Sequence, residues 1–312
     1  MLTKRKWALW ITLGMTVLAT ALRSVLTPTM QSMDTGAFAF NYAVMGLVLL
    51  TFVVVGVLLH SHKEADFSLP TLKAPWLVPA SVLMMAVGLA TLVVSIIEMY
   101  NWSANGIAPP PGGVPSSSAE RVTLFLSLTF GILSGVYFIR LGYVFLVEKA
   151  EIRGVFPLWA LTPAFWIWMR LARYEVSYAS AVGIHESFFD FAMLLCAMLF
   201  LFTFARQMSD VDAKPRKTVW FGCMTAILSI SGTLSRVVFF LLGQGDAYRM
   251  GQLAGIPDFA VGVLALAFLA YWTLAPQDEE VAQEVEEIEE TETIEETEEA
   301  KEAEETFATE TE

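Results

Sequence analysis

Cysteine and histidine are nearly absent from this 312-residue chain, with two of the first and three of the second. Cys196 and Cys223 stand far apart inside apolar runs, so no disulfide framework or metal-type spacing can be built, and both read as small core hydrophobes. His60 and His62 fall at one edge of the apolar runs and His185 at the other, which excludes a pair of histidines facing each other across a haem. No lysine lies within an apolar run, so a retinal Schiff base is excluded. No glycine-rich loop leads into a lysine, so no ATP site is encoded. The chain is thus expected to hold no metal or cofactor and to bind no nucleic acid.

Charge is also scarce, at 16% of residues, and it is unevenly spread. Of the 32 acidic residues, 18 lie in residues 277–312 beside a single one of the 19 basic residues. That leaves residues 1–276 with 18 basic against 14 acidic side chains, so the formal net charge of -13 belongs to the tail alone. The Glu/Thr-rich tail has little to bury and reads as a solvated, disordered cytoplasmic segment. Val281, Val285 and Ile288 would form only a weak apolar stripe if it were helical.

What the body does contain is apolar sequence in continuous runs: 55% of the whole chain is hydrophobic and its mean hydropathy is +0.57. Eight runs of about 20 residues are long enough to cross a bilayer. They cover roughly residues 7–26, 37–59, 75–100, 122–147, 155–174, 184–205, 218–242 and 258–274. Because the runs are continuous rather than alternating, they predict helices and not a barrel, giving an all-α polytopic bundle in contact with membrane lipids. Alternate connections hold eleven lysines and arginines on one side against Arg121 and Arg249 on the other, which predicts cytoplasmic termini. Lys4 to Lys6 and Ala19-Thr20-Ala21 also fit a cleaved secretory signal, but Arg23 and seven further spans weigh against it.

Seven ionisable residues interrupt these runs: Arg23, Glu98, Arg170, Arg173, Glu186, Asp190 and Arg236. Each costs about 2.5–3.5 kcal/mol at a bilayer centre on insertion scales, so such groups face a protein interior or a wet cavity. The predicted topology puts all seven toward the outer end. Helical spacing aligns them with polar neighbours: Thr16, Thr20 and Arg23; Thr91, Ser95 and Glu98; Trp159, Pro163, Trp166, Arg170, Arg173 and Ser177; Glu186, Asp190 and Met193; Ser229, Gly232 and Arg236. Five such stripes predict a shared charged pocket that opens outward. Arginines near helix ends also snorkel, which competes as an account of Arg23, Arg170 and Arg173. Asp190 and Arg236 are the deepest, and Asp190 is expected to pair with Arg236 or Arg170.

Four arginines against three carboxylates leave one positive charge, which predicts a small anionic solute held by guanidinium. The alternative is a proton path through Glu186 and Asp190, with His185 beside them. Arg140 stands alone in the opposite half of the fourth span, whose Ser127, Gly131 and Gly135 form a small-residue packing face. Ser229-Ile230-Ser231-Gly232 has the look of an intramembrane protease serine motif, but no histidine lies deep enough to activate it, and no catalytic residue is assigned.

Pro163, Trp166 and Arg170-Leu171, followed by Glu186 to Arg206 with Phe202-Thr203-Phe204-Ala205-Arg206 at its end, give the last four spans a resemblance to a type of uncharacterised polytopic protein of anaerobic Gram-positive bacteria. The resemblance implies a bacterial plasma membrane and no particular chemistry. The functional expectation is a carrier or permease-like component. A sensor or scaffold whose tail recruits a cytosolic protein is the alternative.

Overall fold

The computed structural model describes residues 2–30, 35–60, 74–105, 118–147, 157–178, 184–209, 215–241 and 255–274. The acidic tail, with its disorder and partner-docking readings, lies outside them. Among the described residues there is no strand, and the helices are α1 (Leu2–Met30), α2 (Thr35–His60), α3 (Ala74–Asn105), α4 (Ser118–Val147), α5 (Pro157–Ala160), α6 (Thr162–Tyr178), α7 (Ile184–Met208), α8 (Pro215–Leu241) and α9 (Gly255–Leu274). Seven of these are long and apolar enough to cross a membrane. The expected fifth span is the exception, because it is split into α5 and α6. The protein is therefore an all-helical, multi-pass membrane bundle.

The split follows from Pro163. A proline has no N–H to give the carbonyl four residues back and its ring crowds that carbonyl, so the Trp159 oxygen would lose its helical partner. Here the neighbouring Thr162 hydroxyl donates to the Trp159 carbonyl instead, at 2.8 Å. The chain turns at Leu161, whose N–H reaches the Leu158 carbonyl at 3.3 Å. This break changes the helical phase, so Trp159 does not share the stripe of Trp166 and Arg170: it is 43% exposed where Trp166 is 4% exposed. Replacing Thr162 by valine keeps the side-chain shape but orphans the Trp159 carbonyl. A loss of about 1 kcal/mol is expected, read as a lower thermal midpoint of the purified protein.

The helices pack in a connected series in which α3 lies on α4, α4 on α6, α6 on α7, α7 on α8, α8 on α1 and α1 on α2, and α2 returns to α8. The centre is α8, with 72% of its apolar window buried against 33% for α1 and for α2. At one end of α8, Trp220 stacks on Phe52 of α2 with ring centroids 4.3 Å apart, and its indole N–H donates to the Phe52 carbonyl at 3.0 Å. On α1, the Thr12, Thr16 and Thr20 hydroxyls each donate to the carbonyl four residues back, so the two threonines of the expected stripe are satisfied within their own helix. α9 closes on the same centre. Its Phe268 meets Phe200 and Phe204 edge-on, and its Gly262 lies against Ser229 and Ile230.

The small-residue face of α4 meets α3. A Cβ added at Gly135 would stand 2.8 Å from the Gly88 carbonyl oxygen, and one added at Gly88 would stand 2.6 Å from the Gly135 carbonyl oxygen. Gly142 likewise lies against the Ser81 carbonyl, and Gly131 against the Ser95 hydroxyl and the Trp166 indole nitrogen. Bilayer helices approach this closely only where side chains are absent, because packing replaces the hydrophobic effect as the force between them. Gly131 is thereby the point where α3, α4 and α6 meet.

Candidate charged site

The charged residues gather at the end of the bundle where α1, α3, α6 and α8 finish and α7 and α9 begin. Arg236 of α8 donates from Nη2 to Oδ1 of Asp190 on α7. Both side chains are nearly buried, 13% and 9% exposed, so neither charge is solvated by bulk water. Of the two pairings expected for Asp190, α7–α8 adjacency thus selects Arg236. Asp190 and Met193 share the inward face of α7, as their spacing predicts.

Arg170 takes a different partner. Its Nη1 and Nη2 donate to the two oxygens of Asp258 on α9, the second at 2.9 Å. This is the fork-to-fork arrangement in which a planar guanidinium matches a carboxylate, and it is stronger and more directional than a single contact. Asp258 is 3% exposed. The Trp166 ring lies one turn along α6, 5.2 Å from the guanidinium carbon of Arg170, and adds a cation–π contact.

Asp258 was absent from the seven residues expected from sequence, because it opens the last apolar run and so reads as a boundary residue. The signal lay one residue before it. Pro257 suits the first turn of a helix and places the helix start upstream, which brings Asp258 inside. α9 does begin at Gly255, with Asp258 in its first turn, where the helix dipole favours an acid. The Thr233 hydroxyl of α8 donates to the Gly255 carbonyl at 3.3 Å and anchors this start.

Asp258 thus joins the described part of the cluster, in which Arg23, Arg170, Arg173 and Arg236 stand with Glu98, Asp190 and Asp258. Arg23 of α1 is 6% exposed and lies over the Phe189 ring, 3.6 Å from its centroid. Its Nη1 also faces Gly232, where an added Cβ would stand 3.4 Å away and 3.7 Å from the Met193 sulfur. The glycine of α8 therefore makes room for the arginine of α1. Arg23 is an interior residue here, which sets aside the snorkelling account for it.

Glu98 is half-buried on α3, and its charge acts on Arg170, as does that of Arg236. Arg170, Asp258, Glu98, Arg236 and Asp190 therefore form one electrostatic group drawn from α3, α6, α7, α8 and α9. Arg173 is half-buried one turn beyond Arg170. The side chains of Glu186 and His185 lie outside the described residues, and with them part of the proton-path reading. Arg140 is exposed on α4, away from this cluster, as its spacing predicts. Among the described residues no group of three or more His, Cys, Asp and Glu gathers to hold a metal. No protein-family profile, curated protein or solved structure matches the chain.

Proposed function

We propose that the protein is a carrier or permease-like component of a bacterial plasma membrane, with cytoplasmic termini, whose charged end faces outward and takes a small oxyanion. The observation that carries this reading is the pair of desolvated arginine–carboxylate contacts at one end of the bundle, with the Arg23 guanidinium beside them. Packing alone does not require them, since an apolar pair of similar volume fills an interior at equal or lower free-energy cost than a buried ion pair. What the pairs supply is guanidinium already stripped of water and held by carboxylates. A carboxylate or phosphate on a solute offers the same oxygens and can take the carboxylate's place.

The test is uptake by the full chain in proteoliposomes, with sulfate, inorganic phosphate, gluconate, malate and glutamate as labelled probes. At least one is expected to enter, and Asp190→Asn and Arg236→Ala are each expected to reduce its entry to that of empty vesicles. Truncation after Pro276 is expected to leave it unchanged. Entry that is unaffected by both point changes, or lost on truncation, would exclude the carrier reading.

A further inference from the structure

The face of α8 that carries Arg236 continues into the bundle. Gly232 and Ser229 lie four and seven residues before Arg236, so all three share one side of the helix, with Ser229 roughly 10 Å further in. At the first step, Gly232 fronts the Arg23 guanidinium of α1 and the Met193 sulfur of α7. At the second, Ser229 faces α9, where a Cβ added at Gly262 would stand 2.9 Å from the Ser229 Cβ. No side chain of Gly232 or Gly262 fills this face or interlocks α8 with α9.

Ser229 differs from three other hydroxyls of the same helix. Thr225 donates to the Phe221 carbonyl at 2.9 Å, Ser231 to the Leu228 carbonyl at 3.4 Å and Ser235 to the Gly232 carbonyl at 3.0 Å. Such local bonds are how a hydroxyl is satisfied inside an apolar helix. Ser229 is 1% exposed, and among the described residues its hydroxyl makes no hydrogen bond. A buried hydroxyl in that condition destabilises the fold, a penalty that alanine at the same position does not carry. The group is an orphaned donor two turns inward of an arginine, on the arginine's own face.

We propose that the Ser229 hydroxyl is the next hydrogen-bond donor for the oxyanion once it leaves the arginines, which makes the Arg236, Gly232 and Ser229 face of α8 the inward path; this rests on the carrier reading above. An oxyanion that moves off a guanidinium into an apolar interior is heavily penalised unless another donor receives it. The Ser229 O–H donates to one oxygen of the anion, whether carboxylate, phosphate or sulfate. Glycine at 232 leaves the step between the two donors open, and a small separation of α8 from α9 at Gly262 admits the anion. A single neutral hydroxyl holds an anion less firmly than a guanidinium fork does. That suits a point of passage, where the contact must be favourable enough to enter and weak enough to leave.

The experiment measures initial uptake against external concentration in proteoliposomes that hold the full chain, for whichever of the five probe anions the wild type takes up. The thermal midpoint of each purified protein is measured beside it. Ser229→Ala is expected to lower the maximal rate about tenfold, the effect of one hydrogen bond to a charged group. KM should be unchanged, because the arginines receive the anion first. The thermal midpoint of Ser229→Ala should equal or exceed that of wild type, since an orphaned hydroxyl has been removed. Ser229→Cys, which keeps a weaker donor, should transport at a rate between the two. A wild-type rate in Ser229→Ala, a lower thermal midpoint alongside its slower uptake, a raised KM at unchanged maximal rate, or Ser229→Cys no faster than Ser229→Ala overturns the path and leaves the carrier reading standing. Absence of entry for all five anions in wild type overturns both.

Discussion

Asp258→Ala is expected to destabilise the folded protein by about 3–5 kcal/mol, the usual cost of removing one partner from a buried ion pair. The penalty comes from what remains rather than from what is lost. Arg170 stays 12% exposed in a helix interior with no carboxylate across its fork, and a guanidinium cannot shed its charge to escape. The measurement is the thermal or denaturant midpoint of the detergent-purified protein. The double replacement Arg170→Met with Asp258→Leu is expected to recover most of the loss, since apolar side chains of similar volume replace a buried pair at little cost. Recovery of stability separates folding from transport: uptake of the probe anion should stay reduced in the double variant, because one of the two desolvated guanidiniums is gone. If Asp258→Ala unfolds no more readily than wild type, the Arg170–Asp258 contact does not hold α6 to α9.

Gly135→Leu is the second large effect, and it acts by crowding. Even the first carbon of a side chain at this position would lie 2.8 Å from the Gly88 carbonyl oxygen and 2.7 Å from Leu92 Cβ, and the backbone of a packed helix cannot yield without the whole helix moving. Overpacking of a core costs about 1–3 kcal/mol, and this substitution is placed at the upper end because backbone, not a flexible side-chain tip, must move. The consequence reaches further than α3 and α4. Forcing them apart opens the junction at Gly131, which seats Trp166, and Trp166 in turn lies under Arg170. A fall in thermal midpoint together with loss of anion uptake is expected. Gly14→Ala and Gly46→Ala are the controls. A Cβ at either position meets nothing within 4 Å, so both should be neutral or slightly stabilising, by up to about 1 kcal/mol from helix propensity.

The spans and the gathering of charge at one end were legible in the sequence because both follow from single-residue solvation: an apolar run of bilayer length has one low-energy environment, and a charge inside it has few. The inward faces of Thr91 and Ser95, of Asp190 and Met193, and of Ser229 and Gly232 were legible for the same reason, since periodicity reports which side avoids lipid. Pairing was not legible in that way. Whether Arg170 meets Asp190 or Asp258 depends on which helices are neighbours, and helices of similar hydropathy give no information about their order. The phase of Trp159 was missed because a sequence stripe assumes an unbroken helix, and Thr162 and Pro163 together break it. Asp258 was missed because an acid at the edge of an apolar run has the same composition whether it ends in water or one turn inside. That single residue changed the inferred pairing, since it gives Arg170 a carboxylate of its own on α9.

The Arg170–Asp258 contact also has a history in time. The two residues are 88 positions apart in the chain. At roughly 5–20 residues per second of synthesis, Arg170 leaves the ribosome about 4–18 s before the carboxylate that will hold it. α6, which holds Arg170, is 17 residues long. Of the carboxylates described in the cluster, Glu98 alone precedes Arg170 in the chain, and its charge acts on that arginine in the finished fold. When Arg170 is made, Glu98 is thus the described acid of the cluster that the chain already holds, and Asp258 is still to come.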